Sequence, residues 1–402
     1  MSDRPIPKRR PGFFSTSSFL RLAVCEAAIA GGLAASGRTR SAVGVALLLV
    51  AMTVARRDGR WWVEHRAVVR GFRRRGAARP GSHPDPRLTA LRALAPGLTV
   101  GSVENGQTDV GVACDGDGWF AVAAFSGSEQ IGVDPDPGAA DARDRLFPDL
   151  VAVLRDSGLP GAAVQLVTHT VPVPAPNLDP DCAAAVSYRE LTRLVGTVPA
   201  ERSQWLAVRV DVAGLAGAGV RQADQAPAIL AGLARRLARA ASRYGSKATV
   251  LDAEGMVRAL SYSAGMSEPA TDSADGAAPH EQWDAWHPGR VSNGAGARGL
   301  AHRTFWLRDW PNSSGITGLL DDLACTPAVL TRLALTITAD PASSDSVDVR
   351  CLIRIATKPG DLANASADLE AVARSMGAEL VALDGEQVPA TYASLPTGGG
   401  PR

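Results

Sequence analysis

The sequence predicts a fold of the α/β class, with two N-terminal transmembrane helices followed by a cytoplasmic mixed α/β domain. Two apolar stretches, residues 19–36 and 41–55, are separated by only four residues. Residues 1–80 hold 16 Lys and Arg against 4 acidic residues, whereas the rest of the chain holds 26 against 37. Strand-like and helix-like patterns alternate from about residue 88 onward, and a composition of 46% hydrophobic and 21% charged residues excludes general disorder.

Four segments are expected along the chain. Both apolar stretches are short for a hydrocarbon core of about 30 Å, a deficit that flanking arginines can cover by snorkelling. Basic residues are more numerous before and after the two stretches than in the turn between them, which predicts a bacterial inner-membrane hairpin with both termini in the cytoplasm. A cleaved signal peptide is the alternative, but a second apolar run and a basic block follow the first run. The expected segments are a cytoplasmic tail at 1–18, a transmembrane hairpin at 19–55, a basic juxtamembrane segment and linker at 56–87, and the α/β domain at 88–402.

The first apolar stretch carries two features that suggest helix partners. Ala28, Gly32 and Ser36 recur at a spacing of four and form a ridge of small residues on which another helix can pack, either in a partner subunit or in the second span. Glu26 is ionisable and costly to leave unpaired in lipid, so a contact with another subunit or with Arg21 is expected.

The block that follows the second stretch combines arginines with aromatic residues. Such a block beside a membrane span fits the interface with anionic lipid headgroups. Nucleic-acid binding is the alternative and is disfavoured, because the position beside a span already explains the charge. The residues concerned are Arg56, Arg57, Trp61, Trp62, Arg73, Arg74 and Arg75.

The α/β domain is predicted element by element from periodicity and turn signals. The Asp-Gly-Asp-Gly segment at 115–118 predicts a hairpin between strands 109–114 and 119–125. A β-α-β unit is predicted at 205–212, 227–244 and 247–251, and an open α/β sheet with antiparallel strands at 329–357. The remaining predicted helices are 140–157, 182–195, 253–262, 316–323 and 362–376, and the remaining strands are 164–170, 301–307 and 379–383, with a loop at 267–279.

Several familiar catalytic and cofactor motifs are absent from the sequence. There is no phosphate-binding G-x-x-x-x-G-K-[ST], no G-x-S-x-G and no H-E-x-x-H. Five scattered cysteines without a C-x-x-C argue against a zinc ribbon or a disulfide framework. We therefore expect no catalytic residue, no cofactor and no metal ion.

Three Asp-x-Asp pairs keep an enzymatic alternative open. Such pairs hold a divalent cation and a diphosphate in nucleotide-sugar transferases, but Asp-Gly and Asp-Pro are also common in turns. A membrane-anchored glycosyltransferase is thus the alternative function, and a polybasic adaptor for lipid or nucleic acid is a third. The pairs are Asp115/Asp117, Asp134/Asp136 and Asp179/Asp181.

Tryptophans are concentrated in two segments. Residues 281–288 and 302–310 hold four of the eight tryptophans, and His280 and His287 lie on either side of Trp283 and Trp286. Core packing or a partner contact explains this pattern better than a metal site does.

Five segments of the chain are similar to those of a known family, and they are RPGFFSTSSFLRL (10–22), ARRDGRWWVEHRAVVRGFRRR (55–75), WLAVRVDV (205–212), LARRLARAASRYG (233–245) and RTFWLRDWP (303–311). Through these segments the chain resembles EccE, a membrane subunit of the mycobacterial type VII (ESX) secretion systems. The resemblance implies a noncatalytic structural subunit at the periphery of a six-fold inner-membrane complex with EccB, the ATPase EccC and EccD. It also implies an α/β domain similar to glycosyltransferase folds without recognised catalytic residues.

Overall fold

The computed structural model consists of two compact units, one formed by residues 10–78 with 402 and the other by residues 1–9 with 79–401. The expected division into four segments is not tested by these two units. The structure describes residues 6–8, 56–57, 60–77, 83–105, 108–126, 137–173, 182–195, 198–220, 223–244, 247–266, 278–288, 299–311, 316–326, 328–339 and 346–400.

The strands follow each other from the N-terminus to residue 382. They are β1 (Ile6–Lys8), β2 (Arg56–Arg57), β3 (Arg60–Trp61), β4 (Thr99–Asn105), β5 (Thr108–Cys114), β6 (Gly118–Ser126), β7 (Ala163–Val173), β8 (Val198–Asp211), β9 (Lys247–Val250), β10 (His280–Glu281), β11 (Trp286–His287), β12 (Ala301–Asp309), β13 (Leu330–Ala339), β14 (Ser346–Thr357) and β15 (Glu379–Ala382).

The helices are mostly amphipathic and begin with α1 in the smaller unit. They are α1 (Trp62–Ala77), α2 (Pro86–Leu94), α3 (Pro137–Asp156), α4 (Ala183–Val195), α5 (Val212–Gly217), α6 (Ala226–Ala241), α7 (Ala253–Ser263), α8 (Ile316–Ala324), α9 (Leu362–Ser375) and α10 (Gln387–Ala393).

The structure contradicts the predicted fold class on one point, the two transmembrane helices. Among the described residues, no helix is both long enough and apolar enough to cross a membrane. The physical reason is charge: α3, with 20 residues, contains seven ionisable side chains, and α1 is rich in arginine. The predicted spans 19–36 and 41–55 themselves lie outside the described residues. The corrected class is a mixed α/β fold built on a large antiparallel sheet.

Thirteen strands of the described part form one sheet. Its order is β10-β11-β12-β14-β13-β7-β8-β6-β5-β4, with β9 beside β6, β15 beside β12 and β1 beside β14. All of these pairings are antiparallel except that of β1 with β14. The antiparallel pair predicted at 329–357 is confirmed by the register of β13 with β14. In the predicted β-α-β unit, β8 and β9 run in the same direction, but β6 lies between them.

The sheet consists of two halves with the same topology. The shared elements are β6-α3-β7-β8-α6-β9 in the first half, which also contains α4 after β7 and α5 after β8, and β12-α8-β13-β14-α9-β15 in the second. Each has the spatial strand order fourth-first-third-second, which is the split β-α-β arrangement of ferredoxin-like folds. The second strands of the two halves, β7 and β13, pair antiparallel and join the halves edge to edge. Each half is followed by one more helix, α7 or α10.

Helices cover both faces of this double sheet. Side chains of α8 and α9 form an apolar core with β12, β13 and β14, and Phe147 of α3 packs against the same core. Since α6 contacts α3, these four helices form one layer. On the opposite face, α2 contacts both α7 and α10. The result is a helix-sheet-helix architecture in which both helix layers bury apolar side chains against the sheet.

The predicted elements of the α/β domain agree with the structure where it describes them. In the hairpin of β5 and β6, Asp115 Oδ1 accepts hydrogen bonds from the backbone N–H groups of Asp117 and Gly118, both at 3.1 Å, and Gly116 has a φ of 94°. This is the turn chemistry that the Asp-Gly repeat predicts. Most of the predicted loop 267–279 lies outside the described residues. The helices α2 and α10 and the strand β4 were not predicted.

Candidate interaction site

The face of the sheet beneath α7 and α10 carries polar side chains in its buried centre. His169, Arg332, Arg354 and Thr304 are direct neighbours in one cross-strand row on β7, β13, β14 and β12. Each side chain in this row is at most 2% exposed. Because buried polar groups are costly without partners, their contacts define what this face can do.

The two arginines of the row bind the end of α7. Arg332 donates a hydrogen bond of 2.6 Å to the carbonyl oxygen of Tyr262, and Arg354 donates one to the carbonyl oxygen of Ser263. Helix C-termini present unsatisfied carbonyls and a partial negative charge, so guanidinium groups are favourable there. The arginines of the second half therefore hold a helix that follows the first half.

Two buried histidines near the arginines are held neutral. Burial lowers the pKa of His302 well below its usual value, and the charges of Arg354 and Arg332 lower it further. The pKa of His169 is lowered by burial and by the same two arginines. The ring of His302 also lies against Gly265, where an added Cβ would stand 2.7 Å from the ring. The histidines are thus packing groups that cannot become cationic here without a large cost.

Residues 386–400, which we call the C-terminal strap, lie on the same face. Their helix α10 contacts β12 and β14 of the second half, and the residues from Ala393 onward reach β7 and β8 of the first half. The Gln165 side chain on β7 donates a 2.7 Å hydrogen bond to the carbonyl oxygen of Ala393. Its own oxygen accepts hydrogen bonds from the backbone N–H groups of Thr397 and Gly398, at 3.2 and 3.0 Å. Arg350 donates to the carbonyl oxygen of Gly399 at 2.9 Å. The sheet recognises the strap mainly through its backbone.

Close packing at the strap requires glycine. Gly398 and Gly399 have φ values of 76° and 97°. A Cβ at Gly398 would lie 2.2 Å from the Cβ of Arg209, and one at Gly399 would lie 2.7 Å from the Arg350 guanidinium. Both the backbone conformation and the space therefore exclude larger residues.

A buried ion pair fixes the strap to the predicted hairpin. Arg209 on β8 binds Asp115 at 2.7 Å, and their side chains are 3% and 2% exposed. The hydroxyl of Tyr392 in the strap donates a 2.9 Å hydrogen bond to Asp115 Oδ2, the same oxygen that Arg209 contacts at 2.7 Å. Burial alone would raise the pKa of Asp115, but the hydrogen bonds and charge of Arg209 outweigh it and hold that pKa below its usual value.

The outcome for the first Asp-x-Asp pair follows from these contacts. Asp115 is engaged by Arg209, Tyr392 and its own turn, whereas Asp117 is exposed. A carboxylate neutralised by a buried guanidinium is a poor metal ligand, so the turn interpretation is the better one. The pairs Asp134/Asp136 and Asp179/Asp181 lie outside the described residues.

The tryptophan and histidine segments form part of the second half. Trp286 is 1% exposed and meets the ring of His302 edge to face at 5.3 Å. Trp283 is exposed, while the rings of His280 and His287 stack at 4.6 Å across the β10–β11 pair. In the described part of the chain, no group of three or more His, Cys, Asp or Glu side chains is placed to hold a metal ion.

The residues predicted to meet the membrane are only partly described. Glu26, Ala28, Gly32 and Ser36 lie outside the described residues, so the predicted packing ridge stays a prediction. Arg73 and Arg74 are exposed on α1 and Arg75 is half-buried. The basic-aromatic residues at the start of the segment form β2, β3 and the first residue of α1, namely Arg56, Arg57, Trp61 and Trp62.

The sequence analysis predicted neither the row of polar side chains on β7, β13, β14 and β12 nor the strap. A signal for the row exists, since Arg332 and Arg354 each interrupt an otherwise apolar strand pattern, LTRLALTI and CLIRIA. No comparable signal marks Gln165 or Tyr392, because their roles depend on contacts between residues more than 200 positions apart.

Comparison with protein families gives one match. The sequence model of the EccE family, described as a type VII ESX secretion system translocon, matches residues 198–307. This range runs from β8 through α6, β9 and α7 into β12, and so includes parts of both halves. The resemblance to EccE predicted from sequence is confirmed over this range. No curated protein matches the chain.

Proposed function

We propose that this chain, whose residues 198–307 match the EccE family, is a noncatalytic structural subunit of a type VII (ESX) translocon at the bacterial inner membrane. Its proposed place is at the periphery of a complex with EccB, the ATPase EccC and EccD. The family match carries the proposal, because it covers the centre of the α/β unit and names a component of a secretion translocon.

The contacts that the buried polar side chains make within the chain support a structural role. Arg332, Arg354 and Gln165 bind backbone groups of the covering segments, and the carboxylate of Asp115 is occupied by Arg209. Each of these groups holds two parts of the same chain together. Such contacts favour a rigid body that presents surfaces to partners over a site that exchanges substrates.

The smaller unit supports contact with anionic lipid headgroups. Arg66, Arg70 and Arg74 are exposed at successive positions four apart on α1, with exposed Arg73 beside them, whereas Phe72 is half-buried. Spacing of four places side chains on one side of a helix. Each such charge near an anionic surface contributes about 1 kcal/mol.

The experiment that tests the main proposal is purification of the tagged chain from the native membrane. We expect EccB, EccC and EccD to copurify, and secretion to stop when the chain is deleted and to return when it is restored. Secretion that continues normally without the chain, or purification without any of these subunits, would refute the proposal.

The lipid contact has its own test. We expect Arg70→Gln combined with Arg73→Gln and Arg74→Gln to weaken binding of the full chain to phosphatidylserine vesicles by at least tenfold at low salt. The matched control is Arg236→Gln with Arg239→Gln, which removes two exposed arginines from α6. Equal loss in both variants would show a general charge effect and contradict a specific role of α1.

A further inference from the structure

Arg354 is a buried cation that pairs with no carboxylate in the described part of the chain. Its side chain is 0% exposed; it donates a hydrogen bond to the carbonyl oxygen of Ser263 and faces Nδ1 of His302 at 3.5 Å. Arg332, directly opposite on β13, adds a second positive charge. Burial lowers the pKa of Arg354 well below its usual value, and the charge of Arg332 lowers it further. A buried charge is costly unless an opposite charge lies beside it.

The acidic side chains of the covering segments do not supply that opposite charge. Glu254 at the start of α7 is exposed, and Asp384 pairs with Arg303 at 2.8 Å. Glu386, the first residue of the strap, is 9% exposed, but no carboxylate of the described residues raises the pKa of Arg354. The charge on Arg354 is therefore not balanced by the described part of the chain.

Four buried side chains at this point have polar atoms without a hydrogen-bond partner among the described residues. Besides Arg354 itself, they are Ser263 and His302, which contact Arg354, and Thr304, its direct neighbour on β12. All four side chains are 0% exposed. We call these four residues the donor cluster, and the atoms concerned are Arg354 Nε, His302 Nε2, Thr304 Oγ1 and Ser263 Oγ.

Each of the four atoms can donate a hydrogen bond. Arg354 Nε carries a hydrogen and accepts nothing. Since Nδ1 of His302 faces the guanidinium of Arg354, we assign it the accepting role, which places the hydrogen of the neutral ring on Nε2. The hydroxyls of Thr304 and Ser263 donate as well as accept. An anion accepts hydrogen bonds from every side, whereas a water molecule brings two hydrogens that need acceptors of their own.

We propose that the donor cluster is the binding site of one buried monovalent anion of the size of chloride. One negative charge balances Arg354, and the four donors become its hydrogen-bond partners. Complete burial of the four side chains leaves no opening for an organic acid or a nucleotide, so a monatomic ion is the class that fits. The ion ties the end of α7 to β12 and β14, and the proposal does not depend on the proposed function.

The first test compares the thermal unfolding of the full chain in sodium chloride and in sodium gluconate at equal ionic strength. A ligand that binds only the folded state stabilises it increasingly with the logarithm of its concentration. At chloride concentrations well above the dissociation constant, we expect the unfolding midpoint to exceed that in gluconate by about 2 °C or more.

Thr304→Val removes one donor of the cluster and keeps the shape of the side chain. We expect it to reduce the chloride-dependent shift by about half or more, and to leave the midpoint in gluconate no lower than that of the wild-type chain, because an unpartnered buried hydroxyl costs free energy. The matched control is Thr331→Val, which removes another buried, unpartnered hydroxyl from the opposite face of the sheet. Its chloride-dependent shift should equal that of the wild-type chain.

Equilibrium dialysis against radioactive chloride measures the binding directly. We expect the wild-type chain to retain chloride and Arg354→Leu to retain none; if Arg354→Leu does not fold, Thr304→Val takes its place and should retain less than the wild-type chain. Equal midpoints in chloride and gluconate, or no chloride retained by the wild-type chain, would overturn the site. An undiminished chloride shift in Thr304→Val would also overturn it, because it would mark a general effect of salt on the whole chain.

Discussion

Replacing Asp115 by alanine tests whether the first Asp-x-Asp pair holds the fold together or serves chemistry. The change leaves the guanidinium of Arg209 without its main partner, and water cannot replace that partner easily because the Arg209 side chain is only 3% exposed. Removing one member of a buried ion pair typically costs about 3–5 kcal/mol. Since a domain is stable by roughly 5–15 kcal/mol, this loss is a large fraction of the free energy of unfolding.

The contribution of the strap is separated by a double-mutant cycle. Tyr392→Phe removes one hydrogen bond to a charged, buried acceptor, which costs about 1.5–3 kcal/mol. Because that acceptor is Asp115, the double variant should lose less than the sum of the single losses, by about 1 kcal/mol or more. The assay is urea unfolding of each variant, with the free energy extrapolated to water.

Asp117→Ala is the matched control, because it changes the other carboxylate of the same turn at an exposed position. We expect a change within about 0.5 kcal/mol. Equal small effects of the two aspartate changes on stability, together with equal large losses of a metal-dependent activity, would refute the structural interpretation of Asp115.

Three further predictions follow from other parts of the chain. Gly398→Ala should cost at least about 2 kcal/mol in urea unfolding because its Cβ meets Arg209, whereas Gly116→Ala, with a similar positive φ but open space, should cost less. The pKa of His302 is lowered in the folded state, so the free energy of unfolding should fall as pH drops below about 6.5, where the unfolded chain binds a proton that the folded chain does not. His302→Asn should reduce this pH dependence in thermal unfolding, and an unchanged pH profile would contradict the prediction. Asp134→Ala with Asp136→Ala should leave secretion unchanged, and loss of secretion by a folded double variant would require a direct test of glycosyl transfer.

Local patterns predict the elements of the α/β domain well but not their arrangement. The hairpin at Asp115 was predictable because its turn is determined by the Asp-Gly repeat itself. The duplication was not, because β7 and β13 become neighbours through a pairing that joins residues more than 150 positions apart, and periodicity carries no information about that.

The candidate site shows the same limit. Arg332 and Arg354 are charged residues in apolar strands, a pattern that indicates burial but not the helix end that the arginines bind. The short α10 and the glycine-rich residues after it look like an irregular tail in sequence, since neither has a clear period. Their conformation is determined by contacts with the sheet, such as the hydrogen bonds from Gln165 and Arg350. The predicted spans lie in the segment that the structure does not describe.

The return of the strap to the first half has a consequence for synthesis of the chain on the ribosome. Gln165 on β7 is made 228 residues before Ala393, the residue that it binds. At a translation rate of about 5–20 residues per second, roughly 10 to 45 s pass between the synthesis of Gln165 and that of the segment that binds it. During that interval the backbone-binding side chains of the first half face solvent or a chaperone, and the second half must be translated before the first is complete. Proteolysis of stalled nascent chains is therefore expected to attack the first half until translation has passed residue 400.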